Sequence, residues 1–99
     1  MTAKHKPIHP GEVLHAEFLE PLGLSQAALA RATGMPADRV ARLVKGTRTF
    51  TADTALRLAR YFGTTPEFWM NLQARYDLEL AIDQRGRMIE KRVRPREAA

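Results

Sequence analysis

Arg42 and Asp38 stand four residues apart in the stretch between Pro36 and Gly46, and on a helix that spacing brings both to one face. An arginine fork in that position can donate two parallel bonds to O6 and N7 of a guanine. An aspartate beside it can accept from the amino group of a cytosine, and Ala37 or Ala41 can touch a thymine methyl. Gln26, Lys45, Thr47 and Arg48 flank this face with donors suited to phosphate oxygens. A plainer reading is that Asp38 and Arg42 form an i,i+4 ion pair on a solvated helix, worth about 0.2–0.5 kcal/mol.

No second constellation competes with this one. His5, His9 and His15 have no cysteine partners and no i,i+4 pairing, so surface or capping roles are expected for them and no metal site. There is no nucleophile beside a base, no glycine-rich phosphate loop and no carboxylate pair, so no catalytic residues, no cofactor and no enzymatic activity are expected.

The elements that must position the Asp38–Arg42 face can be read from the flanking residues. Ala30 is followed four residues later by Gly34 and six after that by Val40, with Leu29 and Leu43 alongside. Two helices that cross steeply need a small side chain at the crossing, a residue tolerant of positive φ in the turn, and an aliphatic plug from the second helix into the core. These are the requirements of a helix-turn-helix, with Pro36, Val40, Leu43 and Val44 facing inward and Asp38, Ala41, Arg42 and Lys45 outward.

Apolar residues recur at helical spacing along the whole chain, which predicts an all-α, five-helix bundle around the helix-turn-helix, in the manner of a lambda-repressor-like domain. The first helix is expected from His9-Pro10-Gly11-Glu12, presenting Val13, Leu14 and Phe18 until Pro21 stops it. Ser25 should cap the second, with Leu24 stapled to Leu29 and Gly34 at the end. The third should run from Pro36 as its first residue to Lys45, with Met35 a poor cap before it and Gly46 after it. Thr51 should cap the fourth, which places Asp53 in its first turn and is expected to bury Ala52, Ala55, Leu56, Ala59 and Phe62. Thr65 and Pro66 open the fifth, which is expected to reach at least Asp83.

Composition is consistent with this scheme. A chain of 99 residues, 44% hydrophobic and 27% charged, supports one core, here residues 1–83, followed by a basic tail over 84–99. That tail could be a frayed helical extension, a short strand in an assembly, or disordered. The net charge of +5 and the pI near 10.2 suit a polyanionic partner. Residues 31–60 carry Arg31, Arg39, Arg42, Lys45, Arg48, Arg57 and Arg60 against Asp38 and Asp53, a net +5. The tail carries Arg85, Arg87, Lys91, Arg92, Arg94 and Arg96 against Glu90 and Glu97, a net +4. With no cysteine and no long apolar run, a soluble cytoplasmic protein away from membranes is expected.

The fifth helix has more apolar surface than one core stripe requires. Phe68, Trp69, Leu72, Tyr76 and Leu80 share an arc, whereas Met70, Leu78 and Ile82 project elsewhere. Either the helix is buried on several sides in a monomer, or those three residues form a dimer or partner surface. The second is preferred for so small a domain, and helix-turn-helix units generally act in pairs on half-sites about 34 Å apart.

The runs His9-Pro10-Gly11-Glu12-Val13-Leu14 and Phe18-Leu19-Glu20-Pro21-Leu22-Gly23-Leu24-Ser25-Gln26 resemble the HigA antitoxins of the Xre-like helix-turn-helix family. So do Thr51-Ala52-Asp53-Thr54-Ala55-Leu56-Arg57-Leu58-Ala59 and Thr64-Thr65-Pro66-Glu67-Phe68-Trp69-Met70-Asn71-Leu72-Gln73, and the likeness spans about residues 8–83. The resemblance implies an antitoxin that binds a HigB-like toxin, a small ribosome-dependent mRNA endonuclease, and represses its own operon as a homodimer at a palindromic double-stranded operator. It also implies base contacts from Pro36, Ala37, Asp38 and Arg42. Pro36 and Ala37 stand where many family members place polar side chains, which shifts the expected readout toward Arg39 and Arg42. The alternatives are a stand-alone dimeric repressor without a toxin, and a protein-interaction module whose Asp38–Arg42 face never meets DNA.

Overall fold

The computed structural model describes residues 6–97, and every regular element among them is helical. His5 and the last two residues of the expected tail lie outside the described residues. Helix α1 opens as an α-helix over Pro10–Val13, continues as a π-helix over Leu14–Leu19 and closes as an α-helix over Glu20–Leu22. Then follow α2 (Gln26–Thr33), α3 (Ala37–Lys45), α4 (Ala52–Phe62) and α5 (Pro66–Arg92).

Local chemistry sets most of the boundaries. The side-chain oxygens of Ser25, Thr51 and Thr65 accept the N–H groups of Ala28, Thr54 and Phe68, satisfying an orphan donor at the start of α2, α4 and α5. His9 caps α1 with its Nδ1, which accepts the Gly11 N–H at 2.9 Å, while Glu12 reaches back to the His9 N–H at 3.3 Å.

Pro21 does not stop α1. A proline ring collides with the carbonyl four residues back in an α-helix, but here the Glu20 N–H bonds to the His15 carbonyl, five back, so the coil is already widened ahead of the ring. The helix ends two residues later at Gly23, where φ is +60° and the Leu24 N–H closes onto the Leu19 carbonyl.

Pro36 is the N-cap of α3, not its first residue, because its extended ψ of 145° leaves Ala37 to begin the helix. Met35, expected only as a poor cap, is buried one position earlier and packs in the core with Val40, the N′ and N4 arrangement of a hydrophobic staple.

The core gathers Leu14, Leu19, Leu29, Val40, Leu43, Phe50, Leu58 and Trp69. Trp69 is fully enclosed, stacked on Phe50 with ring centroids 5.8 Å apart, and its Nε1 donates to Thr64 Oγ1 at 2.9 Å. The buried face of α4 is Thr54, Ala55, Leu58 and Ala59, with Phe62 half-buried, so Ala52 and Leu56 are exposed, contrary to expectation. The phase differs because Thr54 goes inward, its hydroxyl satisfied by Arg39.

Helix α5 runs unbroken through residue 84 to Arg92, so the boundary expected there between domain and tail falls inside a helix. At 1.5 Å per residue it is about 40 Å long. Only Trp69 and Gln73 on it are buried, and the molecule with this helix included measures 54 × 28 × 21 Å.

Candidate nucleic-acid interface

The turn between α2 and α3 is built on the three positions singled out by spacing. Ala30 is 6% exposed and Val40 fully enclosed, and Gly34 takes φ +72° between them. The N–H groups of Gly34 and Met35 both close onto the Ala30 carbonyl, so the small residue at the crossing is also the end of the α2 hydrogen-bond ladder.

Helix α3 turns Val40 and Leu43 into the core with Val44 half-buried, and leaves Ala37, Asp38, Ala41, Arg42 and Lys45 in solvent, Pro36 joining them at the cap. Asp38 Oδ2 and Arg42 Nε are 3.1 Å apart with both side chains well exposed, 76% and 60%. The ion pair of the plainer reading is therefore formed. An exposed pair of this kind is weak and leaves the remaining guanidinium donors available. Gln26 is exposed at the start of α2. Thr47 and Arg48 are exposed after α3, where Thr47 closes the helix through its N–H to the Arg42 carbonyl at 3.0 Å.

Arg39 departs from the expected set. Its side chain is only 16% exposed, and its Nη2 donates to Asp53 Oδ2 at 2.7 Å and Thr54 Oγ1 at 2.6 Å. It faces α4 and not the open side of α3, because the third residue of the helix lies on the flank that α4 covers. Asp53 and Arg57 complete this cluster and were not among the expected site residues. Their own i,i+4 spacing is visible in the sequence, but the partnership with Arg39, 14 residues away, has no local signal. The guanidinium groups of Arg39 and Arg57 hold the Asp53 carboxyl below the usual carboxylate range.

Of the residues expected at an interface on the fifth helix, Leu78 is 62% exposed, Met70 is exposed and Ile82 is half-buried. Met88 and Ile89 extend the exposed apolar surface toward the helix end.

This is the architecture of a small helix-turn-helix protein, with a basic recognition helix open to solvent along one face. A helix-turn-helix family profile matches residues 16–69. The chain is 51% identical over 74 residues to virulence-associated protein I of Dichelobacter nodosus, covering 75% of this chain and 68% of that one. It is 45% identical over 75 residues to antitoxin HigA-1 of Vibrio cholerae, covering 76% and 70%. The structure of Pseudomonas aeruginosa antitoxin HigA with the higBA promoter superposes with a TM-score of 0.88 at 48% identity, over 90% of this chain and 97% of that one. The chain belongs to the HigA antitoxins of the Xre-like helix-turn-helix family. No helix among the described residues is long and apolar enough to cross a membrane.

Proposed function

We propose that this chain is the antitoxin of a two-component toxin–antitoxin pair: it neutralises a small mRNA-endonuclease toxin and represses its own operon by binding a palindromic operator in the cytoplasm. It acts by binding and not by catalysis. The observation that carries the reading is the solvent-open face of α3, Asp38, Ala41, Arg42 and Lys45, on a chain similar along nine-tenths of its length to an antitoxin whose structure holds promoter DNA.

In this reading Arg42 and Asp38 read base edges, Ala37 and Ala41 offer methyl-sized contacts, and Gln26, Lys45, Thr47 and Arg48 position the phosphates. Two copies are needed to reach both half-sites, and the distal part of α5 supplies a seam. At about 100° per residue, Ile82 and Ile89 lie within about 40° of Leu78, whereas Met70 is about 80° to the other side. Leu78, Ile82 and Ile89 therefore form one apolar stripe beyond the core, suited to a second copy of the same helix.

The test is growth of cells in which the reading frame beside this one is induced with and without the protein. Arrest relieved by this chain supports the antitoxin reading. Arrest that persists, or no arrest from a frame shown to be expressed, leaves a stand-alone dimeric repressor.

A further inference from the structure

A closed chain of hydrogen bonds brackets the turn of the helix-turn-helix. Arg39 in the first turn of α3 donates through Nη2 to Asp53 Oδ2 at 2.7 Å, and Arg57 Nε donates to the same oxygen at 2.9 Å. Arg57 Nη1 then donates to the carbonyl of Thr33, the last residue of α2, at 2.9 Å. The end of α2, the start of α3 and the start of α4 are thus joined through one carboxylate oxygen. The turn itself is fitted to this arrangement, since a Cβ on Gly34 would lie 3.1 Å from Arg57 Nη1.

Arg39 is held where this chain needs it. Its Nε is buried without a hydrogen-bond partner, so the guanidinium sits where Asp53 and Thr54 hold it, at the expense of one of its own donors. Arg42 lies one turn further along α3 on the open side. A small rotation of α3 about its axis moves the Arg42 fork sideways, and two parallel bonds to one base tolerate little of that.

We infer that Asp53 is a positioning residue for DNA recognition, fixing the rotation of α3 against α2 and α4 through Arg39 and Arg57. The inference rests on the operator-binding reading above. A carboxylate with no such role makes the opposite prediction. Asp53 is half-exposed on a basic surface, and as a mere surface acid it would repel phosphates, so neutralising it would strengthen DNA binding.

The experiment uses the full chain and a duplex that the parent protein itself selects from a random-sequence pool, with an unrelated duplex for comparison. Asp53→Asn is expected to melt within a few degrees of the parent, to bind the selected duplex roughly tenfold more weakly, and to bind the unrelated duplex at least as well. Arg39→Lys, which keeps the charge and loses the fork, is expected to show a similar loss with an unchanged salt dependence. The double variant is expected to be little worse than the weaker single, because both remove one linkage. Undiminished or tighter binding of the selected duplex by Asp53→Asn overturns the inference. If Asp53→Asn does not fold, parental affinity in Arg39→Lys overturns it. A parent that selects no duplex at all overturns the operator reading and this inference with it, an outcome distinct from either.

Discussion

Gly11 packs against the main chain of Leu43 so closely that a Cβ on Gly11 would overlap the Leu43 carbonyl oxygen, with the Val44 oxygen only 3.0 Å away. The first turn of α1 is thereby seated on the last turn of α3, which ties the amino-terminal helix to the end of the recognition helix. Gly11→Ala cannot be relieved by a side-chain rotation, because the obstacle is backbone. It is expected to cost about 1–3 kcal/mol or more, the usual range for overpacking, and each kcal/mol lowers the melting temperature of a domain this size by roughly 4–8 °C. Gly86→Ala should do the reverse. There the nearest atom to a new Cβ is Ile82 Cγ2 at 3.7 Å, an ordinary contact, so the helix gains roughly 0.5–1 kcal/mol and the melting temperature rises.

His9 gives the fold a dependence on acid. Its ring is buried between Phe50 and Tyr76, with centroids 5.9 and 4.9 Å away, and burial lowers its pKa below the ordinary 6.5 even though Asp77, Glu12 and a hydrogen bond to the Arg48 backbone pull the other way. The folded state therefore holds the neutral form, in which Nδ1 can accept from Gly11. Between 6.5 and the lowered value the unfolded chain binds more protons than the folded one, so stability is full above pH 6.5 and falls as the pH drops through that window. His9→Asn keeps a capping side chain without the titration. Chemical denaturation at pH 7 and pH 5 should show a smaller difference for this variant than for the parent. Equal differences would mean that His9 is not the group responsible.

Much of this was legible because it is local. The Ala30, Gly34 and Val40 spacing, the caps at Ser25, Thr51 and Thr65 and the breaks at Gly34 and Gly46 all depend on neighbours within one or two turns, and the structure reproduces each. What was not legible depends on partners distant in sequence. Thr54 is a polar residue whose burial is made tolerable chiefly by Arg39, 15 residues earlier, with the Thr51 hydroxyl a longer second partner at 3.4 Å. The same contact turns Arg39 away from the open face of α3. The sequence sets only a lower bound on α5, at least to Asp83, for another reason. The dense charge after Asp83 resembles a solvated tail, yet Gln84, Arg85, Arg87, Met88, Glu90 and Lys91 are all good helix formers, Gly86 is a single tolerable interruption, and the first firm stop is Pro95. At Pro21 the opposite happened: a residue that usually ends a helix was absorbed by a π-helical turn ahead of it.

Dimerisation along distal α5 makes a prediction that separates its residues. Leu78→Glu and Ile89→Glu place charge on the apolar stripe without touching the core, since both side chains are exposed. Sedimentation equilibrium is expected to show association weakened at least tenfold, about 1.4 kcal/mol, with helical content retained. Met70→Glu, off the stripe, should leave association nearly unchanged. If the stripe variants associate like the parent, the seam lies elsewhere.

Arg42 and Lys45 share the open face of α3 and differ in what they can read. Arg42 has a planar fork, and its exposed pairing with Asp38 at 3.1 Å uses only Nε, so both terminal nitrogens can point at a base. Lys45 in the last turn is a point charge with no fixed geometry. On the duplex selected by the parent, Arg42→Ala should therefore cost about 1–3 kcal/mol and relax the preference at one base pair, while affinity for unrelated DNA changes much less. Lys45→Ala should weaken binding to every duplex to a similar extent and reduce the slope of log affinity against log salt by about one. The two variants must be compared at one fixed salt concentration, because the phosphate contribution otherwise masks the base contribution. Unchanged affinity and base preference in Arg42→Ala would reduce the Asp38–Arg42 pair to a surface ion pair, and the readout would then have to come from the shape of the duplex and from Ala37 and Ala41.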